Sequence, residues 1–368
     1  MLHVLDGIDV GGAEAQVLSV LTRLPRDRFE VMVAWLRGRG EMEPEFRAAG
    51  IPTAALRMKG ILDPDLAGRL LTVIRGFKPH LIHSHLIHAD LLAGLTGRLS
   101  RVKAIVSTKH IENGALHHPL RGLGARAVAA LSDEVVVISD ALAAFYGGRH
   151  GATDRLRKIS YGYEPRRGPN APPRTGREGI VEELGLPPEV SLVTMIGSLT
   201  PRKGLADLLH AASLVKDGFP SAHFLLVGRG EQRRKLQTMV RTLDIEDTVH
   251  FLGFRRDVRR ILSGSDLLVL PSRWEGFGLV LLEAMNEGLP VVGTRRGAIP
   301  EVVRDGETGL LVPPGDPDSL ATALSRLLGD PERAVEMGRA GRSRLRREFD
   351  LDRAVTAHRE LYEELAAR

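Results

Sequence analysis

The chain has 368 residues, no cysteine and a formal net charge of +5 at pH 7. This length allows two ordinary domains, each with its own core. The absence of cysteine excludes disulfides, thiolate nucleophiles and thiolate zinc sites. No apolar run approaches the about 18 residues needed to cross a bilayer, and Asp6 and Asp9 do not fit a signal peptide, so we expect a cytoplasmic protein.

The charge is unevenly distributed along the chain. Residues 1–165 hold 21 Lys and Arg against 17 Asp and Glu, whereas the remainder holds 30 against 29. A basic first half favours an acidic partner, either phosphates or an anionic membrane surface. A surface rich in solvated arginine explains the same charge equally well. No feature predicts a nucleic-acid partner.

The first 165 residues alternate short apolar runs with helical patterns, which is typical of βαβ units. Helices are predicted at 13–24 and 65–77. Buried strands are predicted at 2–5, 29–36, 80–84, 103–108 and 134–139.

A stretch dense in Pro, Gly and charge, residues 166–178, has no periodicity and is interpreted as a linker. We therefore predict an N-terminal Rossmann-like domain at 1–165 and a second Rossmann-like domain at 179–348. A final helix at 349–368 is placed to cross back to the first domain. The second βαβ series has predicted strands at 190–197, 222–228, 248–253, 266–272 and 289–294.

The stretch from Pro271 to Thr294 contains a strand, the loop "RWEGFG" and a buried helix. Amides at the start of a helix have no partner within it, and glycines let a ligand approach them closely. This arrangement predicts a phosphate site. Its predicted backbone donors are Gly276, Phe277, Gly278 and Leu279.

Two carboxylates belong to the same stretch. Glu283 lies within an apolar helix, where a carboxylate is costly unless it is hydrogen-bonded, and the vicinal hydroxyls of a ribose supply such donors. Glu275, before the helix, reaches a different part of the same ligand. The alternative is that Glu275 only favours the helix dipole and that Glu283 pairs with a basic residue.

Three further loops follow predicted strands. Lys203, with Arg202 beside it, complements phosphate oxygens at a helix start, or is simply a solvated lysine. Gly11 and Gly12 form a turn into a helix, which is either an anion cradle or a plain helix start. His110 lies just past a strand and is either catalytic or structural.

Other patterns do not predict a site. The histidines 80, 83, 85 and 88 lack an H-E-x-x-H arrangement, so zinc is disfavoured. The Asp-x-Asp pairs sit at turns or helix starts as cap residues rather than after strands. The chain contains no Walker-type loop, and "LVGRGEQ" is a poor dinucleotide fingerprint.

Together these motifs resemble the retaining glycosyltransferase family four. Glu275 and Glu283, separated by seven residues, look like its E-x-x-x-x-x-x-x-E signature. Further similar elements occur in order along nearly the whole chain: "VGGAE", "STKH", "PRKG", "GAIPEVVRDGETGLLVPPGD" and the final helix.

The resemblance implies a GT-B fold, with two Rossmann-like domains facing each other across a cleft, and a UDP- or GDP-linked sugar as donor. It implies that Glu283 binds the ribose, Glu275 the transferred sugar, and Arg202 and Lys203 the diphosphate together with the amides of residues 276–279. Gly12, after Gly11, approaches the phosphate or sugar. His110 lies at the reaction centre. Leu310 and Leu311 flank the nucleotide.

The implied activity is a metal-independent transfer of a hexosyl or N-acetylhexosaminyl group, with retention, to a hydroxyl of a sugar, glycolipid or small molecule. It belongs to cell-surface polysaccharide or glycolipid synthesis. Alternatives are a GT-B epimerase or hydrolase acting on nucleotide sugars and an inactive GT-B binding partner. Neither the predicted site nor the resemblance requires a metal or another cofactor.

The chain departs from the family at two positions. Ser198 occupies a position where relatives often carry arginine, and Tyr161 occupies one where asparagine is common. Ser198 stays a donor-site residue in our prediction, with Arg202 as the replacement cation. Separately, residues 117–132 are basic and then apolar, which fits peripheral contact with anionic lipid or a short surface helix that faces the core.

Overall fold

The computed structural model describes residues 1–60, 63–112, 130–150, 155–165 and 176–368. Contacts within the chain divide it into two compact units, called unit 1 and unit 2 below. Unit 1 consists of Met1–Gly162 together with Leu351–Arg368, and unit 2 is Tyr163–Asp350. The predicted linker falls largely outside the described residues, as does the predicted lipid-contact segment.

Unit 1 is built on a seven-stranded parallel sheet with the strand order β3-β2-β1-β4-β5-β6-β7. Its strands are β1 (Leu2–Leu5), β2 (Met32–Trp35), β3 (Thr53–Ala55), β4 (Leu81–His85), β5 (Ala104–Lys109), β6 (Glu134–Val137) and β7 (Leu156–Lys158). Its first helices are α1 (Gly12–Leu21), α2 (Glu43–Ala48), α3 (Leu66–Phe77), α4 (Ile87–Leu99) and α5 (Asp140–His150).

Unit 2 is built on a six-stranded parallel sheet with the order β10-β9-β8-β11-β12-β13. Its strands are β8 (Ser191–Ile196), β9 (Ala222–Val227), β10 (Val249–Gly253), β11 (Leu267–Leu270), β12 (Val291–Thr294) and β13 (Gly309–Val312). A single 3₁₀ turn, Pro201–Lys203, precedes its second helix. Its helices are α6 (Arg177–Leu184), α7 (Leu205–Lys216), α8 (Arg233–Thr242), α9 (Val258–Gly264), α10 (Leu279–Glu287), α11 (Ile299–Val302), α12 (Pro317–Leu328) and α13 (Pro331–Glu348).

The last helix, α14 (Leu351–Ala367), packs within unit 1. Its buried residues Leu361, Tyr362 and Leu365 join the core under β1 together with Leu21 of α1. The core on the opposite face of the sheet contains residues of α3 and α4. No helix in the described parts of the chain is long and apolar enough to span a bilayer.

The strands are short apolar runs because both faces of each parallel sheet are covered by helices. Strands β1, β4 and β5 depart from this pattern with buried polar residues, and β4 departs most. Its sequence "LIHSH" places His83 and His85 on one face, and both are buried, with exposed fractions of 0% and 5%. A buried face that carries histidines instead of aliphatic residues needs hydrogen-bond partners, which are described below.

Three strands were not predicted from the sequence, namely β3, β7 and β13. All three are at sheet edges and are only three or four residues long. An edge strand of this length leaves little periodic signal. The ten predicted strands all occur in the sheets, although β2 begins three residues later than expected.

The strand order reverses once in each sheet. The reversal lies between β1 and β4 in unit 1 and between β8 and β11 in unit 2. In open parallel sheets, ligands bind at this switch point, beyond the carboxyl ends of the two strands. In unit 2 the two loops at this point are residues 197–203, after β8, and residues 271–278, after β11. We call them the switch-point loops.

Candidate active site

The two switch-point loops of unit 2 are locked together through their backbones. The amide of Arg273 donates to the carbonyl of Arg202 at 2.8 Å. Gly204 follows the first loop with φ +66°, and a Cβ at this position would lie 2.0 Å from the carbonyl oxygen of Pro271. Only glycine fits a left-handed conformation at such a close approach. The side chains of the two loops are therefore held at fixed separations.

Lys203 and Glu275, one from each loop, form an ion pair. Their Nζ and Oε2 atoms are 2.5 Å apart, and the two residues are only 8% and 7% exposed. The Ser272 hydroxyl also donates to Glu275 Oε2, at 3.2 Å. The sequence assigned the two residues separately, to a diphosphate and to a sugar. In the structure each offsets the other's buried charge.

Two arginines lie beside this ion pair, in different environments. Arg273 makes a bidentate pair with Asp207, at 3.0 and 3.2 Å, so its charge is already satisfied. The Arg202 guanidinium lies 5.9 Å from the ring centroid of Trp274 and forms no ion pair with any carboxylate in the described ranges. Arg202 is half-buried. Its cationic donors remain available to an anion.

Helix α10 begins without a side-chain cap. Its cap residue, Gly278, has φ +83° and no side chain with which to cover the first amides. The amide of Leu279 has no hydrogen-bond acceptor among the described residues. Gly276 and Phe277 precede it and are buried. The first turn thus offers an amide donor and the positive end of a helix dipole.

A second loop of unit 2 supports Glu275 from its other side. Gly297 has φ +58°, and a Cβ there would lie 2.1 Å from the Glu275 carbonyl oxygen. The same oxygen accepts the amide of Ala298 at 3.1 Å. The backbone of Glu275 is therefore fixed between two loops, which holds its carboxylate in one place.

Glu283 lies on α10, one turn beyond Leu279. It is half-buried, and burial raises the pKa of its carboxyl to about 7. It makes no hydrogen bond or ion pair with any residue in the described ranges. The alternative that it pairs with a basic residue is therefore wrong for this part of the chain. A partly buried carboxylate that lacks hydrogen-bond donors would obtain them from a ligand that carries hydroxyl groups.

The other site residues predicted in unit 2 are Ser198, Leu310 and Leu311, and none of them forms a hydrogen bond with the Lys203–Glu275 pair. Ser198 is exposed, and its hydroxyl lies 3.4 Å from that of Thr200. Leu310 and Leu311 are buried in the edge strand β13, at 7% and 8% exposure. The role of Ser198, like the contact of the two leucines with a nucleotide, stays a prediction.

In unit 1, Gly11 is the cap residue of α1 and Gly12 is its first residue. The carboxylate of Glu14 lies close to Gly11, so that a Cβ at residue 11 would be 2.4 Å from one of its oxygens. Glu14 was not predicted from the sequence as a site residue. Burial, reinforced by nearby Asp9, raises its pKa to about 7. Gly12 is exposed, as a backbone contact to a ligand requires.

His110 follows β5 and is 5% exposed. Both of its ring nitrogens are already engaged. Nε2 lies 2.9 Å from His85 Nδ1, and Nδ1 lies 2.6 Å from the hydroxyl of Tyr161. Burial lowers the pKa of His110 to about 3, so the ring is neutral at physiological pH. The sequence singled out His110 and Tyr161 separately but could not show that they are bonded.

Within the described residues, the one group of three or more candidate metal ligands is His3, His83 and His85, in unit 1. The rings of His83 and His85 are stacked, with centroids 4.4 Å apart and planes at 26°. Their in-plane lone pairs therefore run side by side instead of converging on one ion. Both nitrogens of His83 are also bonded, to the hydroxyls of Tyr362 and Thr108. We assign no metal to this cluster.

Comparison with known proteins gives matches to both units. Residues 176–344 match the family described as "Glycosyl transferases group 1", and residues 10–167 match "Glycosyltransferase Family 4". A GDP-mannose-dependent alpha-(1-6)-phosphatidylinositol monomannoside mannosyltransferase of Mycolicibacterium smegmatis is 31% identical over 261 residues, which are 68% of each chain.

A further relative matches over a shorter stretch. The N-acetyl-alpha-D-glucosaminyl L-malate synthase of Bacillus anthracis is 36% identical over 184 residues, which are 50% of this chain and 48% of the synthase. The chain therefore spans about half the length of that relative. Among solved structures, Anabaena HepE in complex with UDP and glucose superposes with a TM-score of 0.85 over 99% of both chains, at 22% identity.

Proposed function

The chain belongs to glycosyltransferase family four and has its GT-B fold, and we propose that it transfers a hexosyl or N-acetylhexosaminyl group from a UDP- or GDP-linked donor with retention of configuration. The acceptor is a hydroxyl of a sugar, a glycolipid or a small molecule. The names of the relatives support these classes, since they include an N-acetyl-alpha-D-glucosaminyl L-malate synthase and a GDP-mannose-dependent phosphatidylinositol monomannoside mannosyltransferase. HepE was solved with UDP.

One observation carries the proposal: the buried Lys203–Glu275 pair at the switch point of unit 2. It places a cation and a carboxylate next to each other, which suits a ligand that carries phosphate on one side and hydroxyls on the other. The ammonium has three donors and the carboxylate about four acceptor sites. One mutual contact therefore leaves Lys203 able to bind a diphosphate and Glu275 able to bind the hydroxyls of the transferred sugar.

The diphosphate is also bound by Arg202 and by the first turn of α10. The uncapped start at Gly278 supplies amide donors and a helix dipole. These groups and Lys203 stabilise the negative charge that builds on the leaving diphosphate, which is usually the largest contribution in such a reaction. They do what a divalent cation does in other transferases, which is why we propose a metal-independent reaction.

Glu283 binds the two ribose hydroxyls of the donor. Support for this assignment comes from its half-buried carboxyl with no partner in the described ranges and with a pKa raised to about 7 by burial. Vicinal hydroxyls supply two donors to a single carboxylate. For unit 1 we keep the roles that the family resemblance implies, with Gly11 and Gly12 as backbone contacts to the donor and His110 as a group at the reaction centre.

We assign no nucleophile to the reaction. Cleavage of the donor gives an oxocarbenium-like sugar held by Glu275, and the leaving diphosphate takes the proton of the acceptor hydroxyl on the same face of the sugar. The new glycosidic bond forms on the face from which the diphosphate departs. This sequence retains the anomeric configuration and balances the proton without a base from the protein.

The proposal is tested with a panel of UDP, GDP, ADP and TDP in the presence of a chelator, read by thermal shift. A nucleotide at 100 times its dissociation constant stabilises the protein by about 2.7 kcal/mol, and we expect UDP or GDP to do so without metal. Stabilisation that needs Mg²⁺ for every nucleotide would contradict the metal-independent site. Incubation with donor sugar alone tests the alternatives, because an epimerase releases a rearranged sugar and a transferase does not.

A further inference from the structure

A row of buried side chains leads from the middle of unit 1 to His110, and this inference rests on the proposed role of that residue. His3 Nδ1 lies 3.1 Å from His85 Nε2, His85 Nδ1 lies 2.9 Å from His110 Nε2, and His110 Nδ1 lies 2.6 Å from the Tyr161 hydroxyl. We call these four residues the histidine row. All four are at most 7% exposed.

The sheet register explains why the row forms. His3 of β1 pairs with His83 of β4, and His85 of β4 pairs with Thr108 of β5. Residues two apart on a strand share a face, so His3 and His85 point to the same side. His110, two residues beyond Thr108, continues that side. Neighbouring strands thus bring three imidazoles into line.

The rings meet edge to edge, which is the geometry of good N–H···N bonds. The ring centroids of His3 and His85 are 5.4 Å apart with planes at 17°, and those of His85 and His110 are 5.2 Å apart with planes at 27°. Each centroid distance exceeds the corresponding nitrogen distance by 2.3 Å, about one ring width. The bonded nitrogens therefore lie on the line between nearly parallel rings.

The three imidazoles are neutral, because burial lowers the pKa of His3, His85 and His110. A neutral imidazole has one N–H and one lone pair. Every hydrogen bond in the row must then point the same way, since a ring that donates at one nitrogen accepts at the other. The row has only two arrangements, and the tautomer of His110 is tied to that of His3.

The free end of the row lies at a small cavity. His3 Nε2 and the side-chain amide nitrogen of Gln16 are both buried and have no hydrogen-bond partner within the described residues. Both residues line a cavity of about 20 Å³, and His85, His110 and Tyr161 line it too, among mainly apolar side chains. A cavity of this volume holds one water molecule, and the two nitrogens without partners are the polar groups available to bind it.

We propose that a water bound between Gln16 and His3 sets the direction of the row and thereby fixes the tautomer of His110. The water accepts from the Gln16 amide and donates to His3 Nε2. Each histidine then carries its proton on Nδ1, and His110 donates to the Tyr161 oxygen. In the reverse arrangement His3 carries its proton on Nε2, so the water accepts one hydrogen bond from Gln16 and one from His3. Neither residue then accepts a proton of the water.

Gln16, His3 and His85 are therefore positioning residues. They hold His110 as a fixed donor to Tyr161, so the hydroxyl proton of Tyr161 points away from the row. His110 has no nitrogen left for a substrate in this arrangement. Its influence on the reaction passes through the Tyr161 oxygen.

The direct test is a long-range ¹H–¹⁵N correlation spectrum of the histidine-labelled protein without ligand. We expect His3, His85 and His110 all to be neutral with the proton on Nδ1. A proton on Nε2 of any of the three, a charged ring at pH 7, or stoichiometric metal bound by His3 in the purified protein would overturn the proposal. The readout needs no activity, so it is independent of the proposed function.

Gln16→Met keeps the side-chain volume and removes the amide donor, and Leu18→Met, on the same helix but outside the cavity wall, is its control. In Gln16→Met we expect a mixture of both tautomers at His110 and kcat lower by roughly threefold to tenfold, the loss for one hydrogen bond, at unchanged KM for the donor. Leu18→Met is expected to keep the Nδ1 proton at His110 and the wild-type kcat. An unmixed Nδ1 proton at His110 in Gln16→Met would show that the water does not set the direction. If the wild type bound none of the four nucleotides, that result would count against the proposed function alone and not against the histidine row.

Discussion

At the scale of single residues, the candidate site holds its charges in two different ways. Lys203 and Glu275 satisfy each other at 2.5 Å, whereas Glu283 has no partner in the described ranges and its pKa is raised to about 7. In the first arrangement each charge offsets the burial cost of the other. In the second the burial cost of the carboxylate is not offset by any described residue, so the two carboxylates are expected to respond differently to substitution.

Lys203→Met is expected to reduce turnover by roughly 10-fold to 150-fold, because a charge-assisted hydrogen bond to the leaving group contributes about 1.5–3 kcal/mol. The substitution also leaves Glu275 buried and unpaired, so a lower Tm should accompany the loss. Steady-state kinetics with saturating donor measure the effect. Lys216→Met, on the partly exposed end of α7, is the control. Equal kcat in Lys203→Met and wild type would remove Lys203 from the mechanism.

Glu283→Gln is expected to stabilise the ligand-free protein at high pH. The folded-state pKa is about 7 and the ordinary value is 4.5, so folding favours the protonated form, and this contribution is lost as the pH rises from 4.5 through 7. Urea unfolding should show a gain on the order of 1–3 kcal/mol at pH 8 and almost none at pH 4.5. The exposed carboxylate change Glu231→Gln serves as control. A gain that is the same at both pH values would contradict a buried, ionisable Glu283.

At the scale of elements, the site depends on glycines that let loops approach each other closely. Gly204 joins the 3₁₀ turn to α7 with φ +66°, and its Cα faces the Pro271 carbonyl. This contact and the backbone hydrogen bond from Arg273 to Arg202 hold the two switch-point loops at a fixed distance. The ion pair between Lys203 and Glu275 follows from it.

Gly204→Ala is therefore expected to destabilise unit 2 by roughly 1–3 kcal/mol, through a left-handed φ and a Cβ that meets backbone. It should also weaken nucleotide binding, because the loops must separate. Gly218→Ala, whose new Cβ meets nothing nearer than 4.0 Å, is the matched control. Chemical denaturation and calorimetric titration with the nucleotide measure the two effects. A Gly204→Ala protein as stable as Gly218→Ala would show that the loop contact is unimportant.

The sequence predicted the elements better than their contacts. The apolar runs of β8 and β11 and the amphiphilic helices could be predicted because burial against a parallel sheet imposes a hydrophobic pattern. The strands β3, β7 and β13 could not be predicted, since short edge strands lack such a pattern. The family resemblance named Lys203, Glu275 and Glu283, but no sequence spacing indicates that the first two form a pair.

The histidine row was missed for a different reason. The local pattern around His83 and His85 suggests metal ligands at most, and His3 belongs to no motif. Their alignment with His110 follows from the strand order β1-β4-β5 combined with alternation along each strand. The strand order and the alternation can both be predicted from the sequence once a Rossmann-like sheet is assumed. The contacts of Tyr161 and Gln16 cannot be predicted in this way, because the two residues lie outside the sheet.

At the scale of the whole molecule, the chain contributes its last helix to the unit it began with. Helix α14 places Leu361 and Tyr362, with exposed fractions of 0% and 1%, in the core of unit 1. Tyr362 also bonds His83 at 2.8 Å. The two tryptophans report on the units separately, since Trp35 lies in unit 1 and Trp274 in unit 2.

Leu361→Ala is expected to destabilise unit 1 by about 2–5 kcal/mol, the cost of emptying a buried leucine site. In a Trp274→Phe background, the fluorescence of Trp35 should therefore report unfolding at a lower urea concentration. In a Trp35→Phe background, the signal of Trp274 should shift less. Equal shifts of both signals would mean that α14 stabilises the whole chain rather than unit 1.

The return of α14 to unit 1 also has a consequence for biosynthesis. Unit 2, Tyr163–Asp350, is translated in full before α14 begins, whereas unit 1 lacks part of its core until Leu361 and Tyr362 have been translated. Because the last residues translated lie inside the ribosome, a released chain that ends at residue 350 is the suitable test. In that chain we expect unit 2 to resist protease and residues 1–162 to be cleaved.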